Sequence, residues 1–501
     1  MVTESKSPDV PRGYLLEAIA FAGGGAIMIL ELLGSRVLAP FVGTSLWVWT
    51  SLIGIILASL SLGYYLGGRI SDRSPRLEIL SLVIFLAGLY IGLVTFLQRP
   101  FLIFLSQSIP GIRMGSTVAT VALFAVPSIF LAMIAPYTVR LRMENVSDSG
   151  KTVGRLYAVS TIGSIVGTFL AGFWLIPYFG TTLLLGLLAL TLIGISFLGY
   201  GRARIALRAL TALCVVFGLI LEGNLRRLEA ELGFVDVDTQ YSRVLVYDSE
   251  FMGSPARFMA IARQTSSVMS LQDPDQVFGY ARFFDLVQYF VPEARRALML
   301  GGAAFTYSRH FLNAVPGSTI DVVEIDPGVT ALAKKYFGLT DRTDLTVIHA
   351  DARVFLNQTD RKYDVVFIDA FTSVDTVPYQ LTTVEAIERI FAVLEDGGAV
   401  FVNLLSSVQG PAGMFLRAEF HTYAEVFPQV HVLRVGSTDG RVKQNLVLMA
   451  IKSDTPARFD GNDAEWGPYL QTVWRAPVAK DLPILTDDHA PVDRYIAEFA
   501  R

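Results

Sequence analysis

The sequence predicts two domains of different class: a multi-pass α-helical membrane domain, then an α/β domain built on a parallel sheet. Two observations carry this. Residues 13–222 hold long apolar runs, whereas residues 225–501 have ordinary globular composition. From 296 onward, short apolar strands alternate with helical patterns, the signature of a parallel sheet covered on both faces. The whole chain has 501 residues, is 52% hydrophobic and only 17% charged, and has a mean hydropathy of +0.48. Soluble proteins average about 25% charged residues. The expected boundaries are 1–224 for the membrane domain, 225–292 for a small β-rich subdomain and 293–501 for the α/β domain.

A bilayer core needs roughly 20 apolar residues per helix. Seven segments qualify as candidates: about 14–34, 46–68, 77–97, 116–138, 156–178, 181–200 and 205–222. Gly63/Gly67 and Gly163/Gly167 stand four residues apart, a spacing that lets helix backbones approach closely in lipid. Glu31 and Arg36 flank the end of the first run, where ionisable groups are costly. An acidic, polar stretch precedes the first apolar run, so a retained helix is expected rather than a cleaved signal peptide. The N-terminal tail and the loops after helices two, four and six carry twelve Lys and Arg; the other loops carry Arg36, Arg99 and Arg113. That bias puts the N-terminus in the cytoplasm. Seven crossings would then put the C-terminal domain outside, whereas a cytosolic nucleotide co-substrate would want it inside.

The net charge of -4 argues against general nucleic-acid binding. The single cysteine, Cys214, cannot form an internal disulfide, and no metal site is expected.

The soluble half opens with two strands, "SRVLVYDSE" and "ARFMAIARQ", joined by a turn at "MGSP". A helix is expected over about 274–291. Strands follow at 296–302, 319–326, 345–351 and 363–370, with a fifth at "AVFVNLL" after a helix reading "TTVEAIERIFAVLEDGG". Ligands of such sheets bind at the carboxyl ends of the strands. Gly301 and Gly302 end the first strand and let backbone approach a ligand. Glu324 or Asp326, ending the second, can accept from ribose hydroxyls. Asp351, ending the third, can accept from an adenine amino group. Asp369, ending the fourth in "VVFIDAF", faces the space of a reacting group. Any one of these acids alone reads as a helix cap; four at successive strand ends read as a nucleoside site. The second glycine of a dinucleotide fingerprint is missing, which disfavours NAD.

This pattern resembles the polyamine aminopropyltransferases, the spermidine synthases, and in particular bacterial proteins that fuse a multi-helix membrane region to such a domain. The segments that carry the resemblance include "ELLGSRVLAPFVGTSLWVWTSLIG", "VVEIDPGV", "DAR", "FIDAF" and "LTDDHAPVD". It implies a methyltransferase-like Rossmann sheet and decarboxylated S-adenosylmethionine (or S-adenosylmethionine itself) as co-substrate, without a metal. It also implies a small-molecule amine substrate, a homodimer and a multi-pass location in the cell membrane. By position, Glu324 would hold the ribose, Asp351 with Ala352 would frame the adenine, and Asp369 would accept the proton of the attacking amine. Gln264 and Tyr280 would line the same cleft, and Ser242 aligns with a family glutamine. The departures lie at the reacting end. The family's G-G-G-D loop reads Gly301-Gly302-Ala303-Ala304, losing the acid that pairs with the aminopropyl ammonium. The second acid of its D-x-x-D motif is Thr372, with Asp375 three residues on as a substitute. Aminopropyl transfer to a polyamine such as putrescine is therefore the first reading. The alternatives are an S-adenosylmethionine-dependent transferase with another, membrane-embedded acceptor, or a transporter or sensor whose domain binds without turnover.

Overall fold

The computed structural model describes residues 12–43, 45–109, 111–143, 149–199, 205–262, 264–371 and 378–497. The chain divides into two compact units, 1–228 and 229–501.

The first unit is helical. Six of its helices are long and apolar enough to cross a membrane: Tyr14–Val42, Leu46–Arg73, Leu77–Ser108, Ile112–Arg142, Ser149–Tyr178 and Ile205–Glu231. A seventh, Thr181–Ser196, has 16 residues. At 1.5 Å per residue it spans about 24 Å, short of a hydrocarbon core of about 30 Å. The long helices run well beyond the apolar windows read from the sequence, because polar ends such as "GGRISDR" continue the helix. The glycine pairs pack as their spacing suggests. Gly63 and Gly67 lie against Ile129 and Met133 of the fourth long helix, and Gly163 and Gly167 against Phe21 and Gly25 of the first. A methyl group at any of these would meet the neighbouring backbone.

The second unit contains two sheets. The smaller is a four-stranded antiparallel meander, β1 (Val235–Asp238), β2 (Arg243–Phe251), β3 (Ser254–Ile261) and β4 (Gln264–Ser270), in sequence order. Of these, β2 and β3 were expected from the alternating pattern; β1 has only four residues, two of them Asp, and β4 is rich in Ser and Thr. The larger sheet holds β5 (Arg296–Leu300), β6 (Thr319–Val323), β7 (Leu345–Ile348), β8 (Tyr363–Ile368), β9 (Leu394–Ser406), β10 (Gln429–Arg434) and β11 (Gln444–Ile451). Its order is β10-β11-β9-β8-β5-β6-β7. The strands β5 to β9 pair in parallel, and β11 runs antiparallel between β9 and β10.

Period-two patterning places alternate side chains on opposite faces. Leu298, Leu300, Val366, Ile368, Val400 and Val402 enter one core, and Ala297, Met299, Val365, Phe367, Ala399 and Phe401 enter the other. The central strands are thus buried on both sides, which is why they read as unbroken apolar runs.

Two expectations need correction. The segment 274–291 is not one helix: only Ala281–Phe284 and Val287–Phe290 form single turns. Gly279 at φ +57° breaks the regular backbone, and Pro274 stands near its start. The helix at 383 ends at Val393, and "LEDGG" already belongs to β9. There Gly397 takes φ +81° and its amide donates to Lys452 O at 2.8 Å, a partner outside any helix.

Candidate functional site

Parallel strands bring their carboxyl ends to one edge, and β5, β6, β7 and β8 deliver there the residues singled out by sequence. One cleft of about 270 Å³ is lined by Gly301, Glu324, Asp326, Asp351, Ala352 and Asp369, and also by Ser242, Gln264 and Tyr280 from the smaller sheet and its following turn. Gly302 lines an adjoining chamber instead. Asp375 and Thr372 lie outside the described residues.

The first strand end must be glycine. Gly301 adopts φ +95°, and a Cβ there would collide with the Asp369 carbonyl oxygen. The loop then carries two non-glycine residues in the left-handed region, Ala303 at φ +43° and Phe305 at φ +57°. Such residues cost of order 1 kcal/mol or more each and persist only where the surroundings hold them. Here the Phe305 side chain is fully buried and Glu324 clamps the loop. One Glu324 oxygen accepts from Gly302 N at 2.9 Å and Ala303 N at 3.1 Å, and the other from Asp326 N at 2.9 Å. Burial pushes this carboxyl up, and the three backbone donors pull against that shift. Ala304 is fully buried in the core beneath the smaller sheet, and its amide donates to Ser267 Oγ at 3.2 Å. No acid reaches the cleft from that position.

The two acids that the sequence left as alternatives on β6 are held alike, both buried with both oxygens bonded within the protein, and both line the cleft. Asp326 caps the helix Pro327–Tyr336, accepting from Gly328 N at 2.9 Å, and its other oxygen receives the Thr239 hydroxyl. It is buried, and both its oxygens are engaged by protein. Asp351 caps the helix Ala352–Gln358 through Val354 N at 3.1 Å and stands more open to the cleft.

Asp369 is held differently. Its amide donates to Leu300 O at 2.9 Å, fixing the strand end, but its carboxylate is gripped by side chains. The Tyr280 hydroxyl donates to one oxygen at 2.5 Å and Asn403 Nδ2 to the other at 2.9 Å. Asn445 Nδ2 in turn donates to Asn403 Oδ1 at 2.9 Å, which orients the Asn403 amide. Burial raises the Asp369 carboxyl above its ordinary value, and the Asn403 and Tyr280 bonds oppose that rise. Burial and the neighbouring carboxylate push the Tyr280 phenol far up, so it stays protonated and donates. A carboxylate poised in this way can take a proton and hold the resulting neutral group. Asn403 and Asn445 were not foreseen. The signal was an asparagine inside "VFVNLL", a polar residue in a strand otherwise buried on both faces.

The sheet order, with one antiparallel strand inserted beside β10, defines the class: an α/β domain with a methyltransferase-type Rossmann sheet. Residues 282–418 match the family model of the spermine/spermidine synthase domain. It is 30% identical over 222 residues to a probable polyamine aminopropyl transferase of Bifidobacterium longum, covering 40% of this chain and 48% of that protein. It is 23% identical over 381 residues to polyamine aminopropyltransferase 1 of Ralstonia nicotianae, covering 72% of this chain and 70% of that one. That alignment is too long for the soluble unit alone and extends into the helical unit. Among solved structures, a probable spermidine synthase from Corynebacterium glutamicum matches 47% of this chain and 84% of its own length, at 24% identity and a TM-score of 0.41. The chain thus spans about half the length of the first of these relatives.

Proposed function

We propose that the soluble unit transfers an aminopropyl group from decarboxylated S-adenosylmethionine to an amine and releases methylthioadenosine. The observation that carries this reading is Asp369: a carboxylate at a strand end, held by Tyr280 and Asn403, on the cleft that also holds Glu324 and Asp351. Glu324 would accept from the ribose hydroxyls, Asp351 from the adenine amino group, and Ala352 would leave room for the ring beside it. Asp326 serves this site by capping a helix, and Ser242 and Gln264 line the amine side. The attacking group arrives as an ammonium, which has no lone pair. Asp369 takes its proton, the freed nitrogen pair attacks the carbon next to the sulfonium, and the C–S bond breaks with its electrons going to sulfur. No metal is needed, since the sulfonium is already a good leaving group.

Ala304 favours a second reading. With no acid at that position, transfer of a different group from S-adenosylmethionine to another acceptor fits as well. Product analysis separates the two. Methylthioadenosine from decarboxylated S-adenosylmethionine is expected; S-adenosylhomocysteine from S-adenosylmethionine, without methylthioadenosine, would replace the first reading by methyl transfer.

The six long helices would cross the cell membrane, and the 16-residue helix Thr181–Ser196 would not. With the N-terminus inside by the positive charge bias, six crossings return the soluble unit to the cytoplasm, where its nucleoside is made. A cysteine at exposed Met252, in the hairpin turn between β2 and β3, should resist an impermeant thiol reagent in intact cells and react after lysis. Labelling of intact cells would instead require a seventh crossing.

A further inference from the structure

A second chamber, of about 160 Å³, adjoins the cleft, and Asp369 and Tyr280 line both. The two spaces meet where the proposed reaction occurs. Their chemistry differs. The cleft presents Glu324, Asp326 and Asp351 as well as Asp369. The second chamber is walled by Phe251, Phe278, Phe284 and Tyr307, with Val268 and Met299. Its polar groups are hydroxyls, including those of Ser266 and Thr306, and among the described residues Asp369 is its one charged group. The rings already pack on one another: Phe251 meets Phe278 at 5.0 Å and Phe284 meets Tyr307 at 5.1 Å, both edge to face.

Charge accounting then restricts the acceptor. The sulfonium and the aminopropyl ammonium bring two positive charges, and the acceptor's attacking nitrogen arrives with a third. The carboxylates of Glu324, Asp326 and Asp351 are bonded to backbone amides at the nucleoside end. Among the described residues Asp369 alone faces the three cations, and it is consumed by the attacking nitrogen. A further ammonium at the far end of the acceptor would enter a chamber whose described residues give it no counter-charge, and burying an unpaired charge is costly. An apolar body would instead gain from the same walls. A cavity of about 150 Å³ holds one benzene ring, so the space suits an aryl or compact alkyl group.

Resting on the aminopropyl-transfer reading, we infer that the acceptor is a monoamine: one basic nitrogen on an apolar body of about one ring, seated in the second chamber. The step balances without a co-reactant. The ammonium gives a proton to Asp369, its nitrogen bonds to the propyl carbon, sulfur keeps the C–S pair as the neutral thioether, and the product leaves as a secondary ammonium.

The test uses the full-length protein in detergent or nanodiscs with decarboxylated S-adenosylmethionine, and compares 2-phenylethylamine with 1,4-diaminobutane by methylthioadenosine release. The monoamine is expected to have a kcat/KM at least tenfold higher. An equal or better diamine overturns this inference and leaves aminopropyl transfer standing. No methylthioadenosine with either amine overturns both. Thr306→Asp places a carboxylate in the chamber at the first residue of the helix Thr306–Ala314, where an acid suits the helix dipole. It should move the monoamine-to-diamine ratio at least tenfold toward the diamine; an unchanged ratio in a folded variant overturns the placement. Phe278→Ala, a second probe, should raise KM for the monoamine at least fivefold with KM for the nucleoside unchanged, and equal effects on both would likewise overturn the placement.

Discussion

The two ends of the cleft hold their carboxylates by different means. At the proposed nucleoside end, Glu324, Asp326 and Asp351 accept from backbone amides, so their positions follow from the course of the chain. At the proposed reacting end, Asp369 is held by the side chains of Tyr280 and Asn403. Backbone donors cannot be exchanged by substitution, whereas side-chain donors can. The nucleoside end is therefore coupled to folding, and the reacting end can be tuned with little cost to the fold.

The sharpest test of this difference is Asp369→Asn. It preserves shape but cannot accept a proton, so turnover should fall by roughly 10²–10⁴-fold while nucleoside affinity, read by calorimetry, is retained. Linkage gives the sign for stability. Burial raises the folded-state pKa of Asp369, so its contribution is fully present below the unfolded value and is lost as pH rises through the folded one. At neutral pH the neutral asparagine avoids that loss, and the variant should melt no lower than the parent. Full activity in Asp369→Asn would remove the base from the mechanism.

At the other end, Asp351→Ala should weaken adenosine-ligand binding by about 1–3 kcal/mol through a lost hydrogen-bond partner. It should also cost about 1 kcal/mol of stability as a lost cap. Asp326→Ala should cost about 1–2 kcal/mol in stability with nucleoside affinity unchanged in the folded protein. Calorimetry and thermal melts on the pair check this; a loss of affinity in Asp326→Ala as large as that in Asp351→Ala would return Asp326 to the binding site.

The smallest expected effect is on Asn403→Leu. Losing the Asn403 donor removes an influence that lowers the Asp369 carboxyl, so its pKa should rise further. With Asp369 as the proposed ionised base, the acid limb of the kcat profile should move to higher pH, with a rate loss of roughly tenfold or less at its plateau. An unshifted limb would mean that Asp369 is not the group titrating there.

The strand ends were legible because an acid closing a buried apolar run is an unusual event, and three strands in succession, β6, β7 and β8, end this way. Sequence could not tell a capping acid from a ligand-facing one: Asp326 and Asp351 both precede a helix, and only three-dimensional packing brings Thr239 onto the first. Asn403 and Asn445 escaped because each acts across strands, one on Asp369 and one on its neighbour, and sequence distance hides such pairs. The strands β10 and β11 went unread because they add to the sheet edge beyond the alternating strand–helix pattern. The glycines of the helical unit were readable by spacing alone, since helix-on-helix contact repeats along each chain segment.

Glu324 has a further consequence for anyone surveying related chains. The same carboxylate that would greet a ribose also pins the strained turn at Ala303 and Phe305. A lineage that had given up the nucleoside would still need the residue to build the turn, so keeping Glu324 reports on architecture. Asp369 carries no such duty to the turn, and once the reaction no longer mattered a descendant could exchange it for another residue that pairs with Tyr280 and Asn403. Its presence or loss is therefore the more informative mark of whether the chemistry is still under selection.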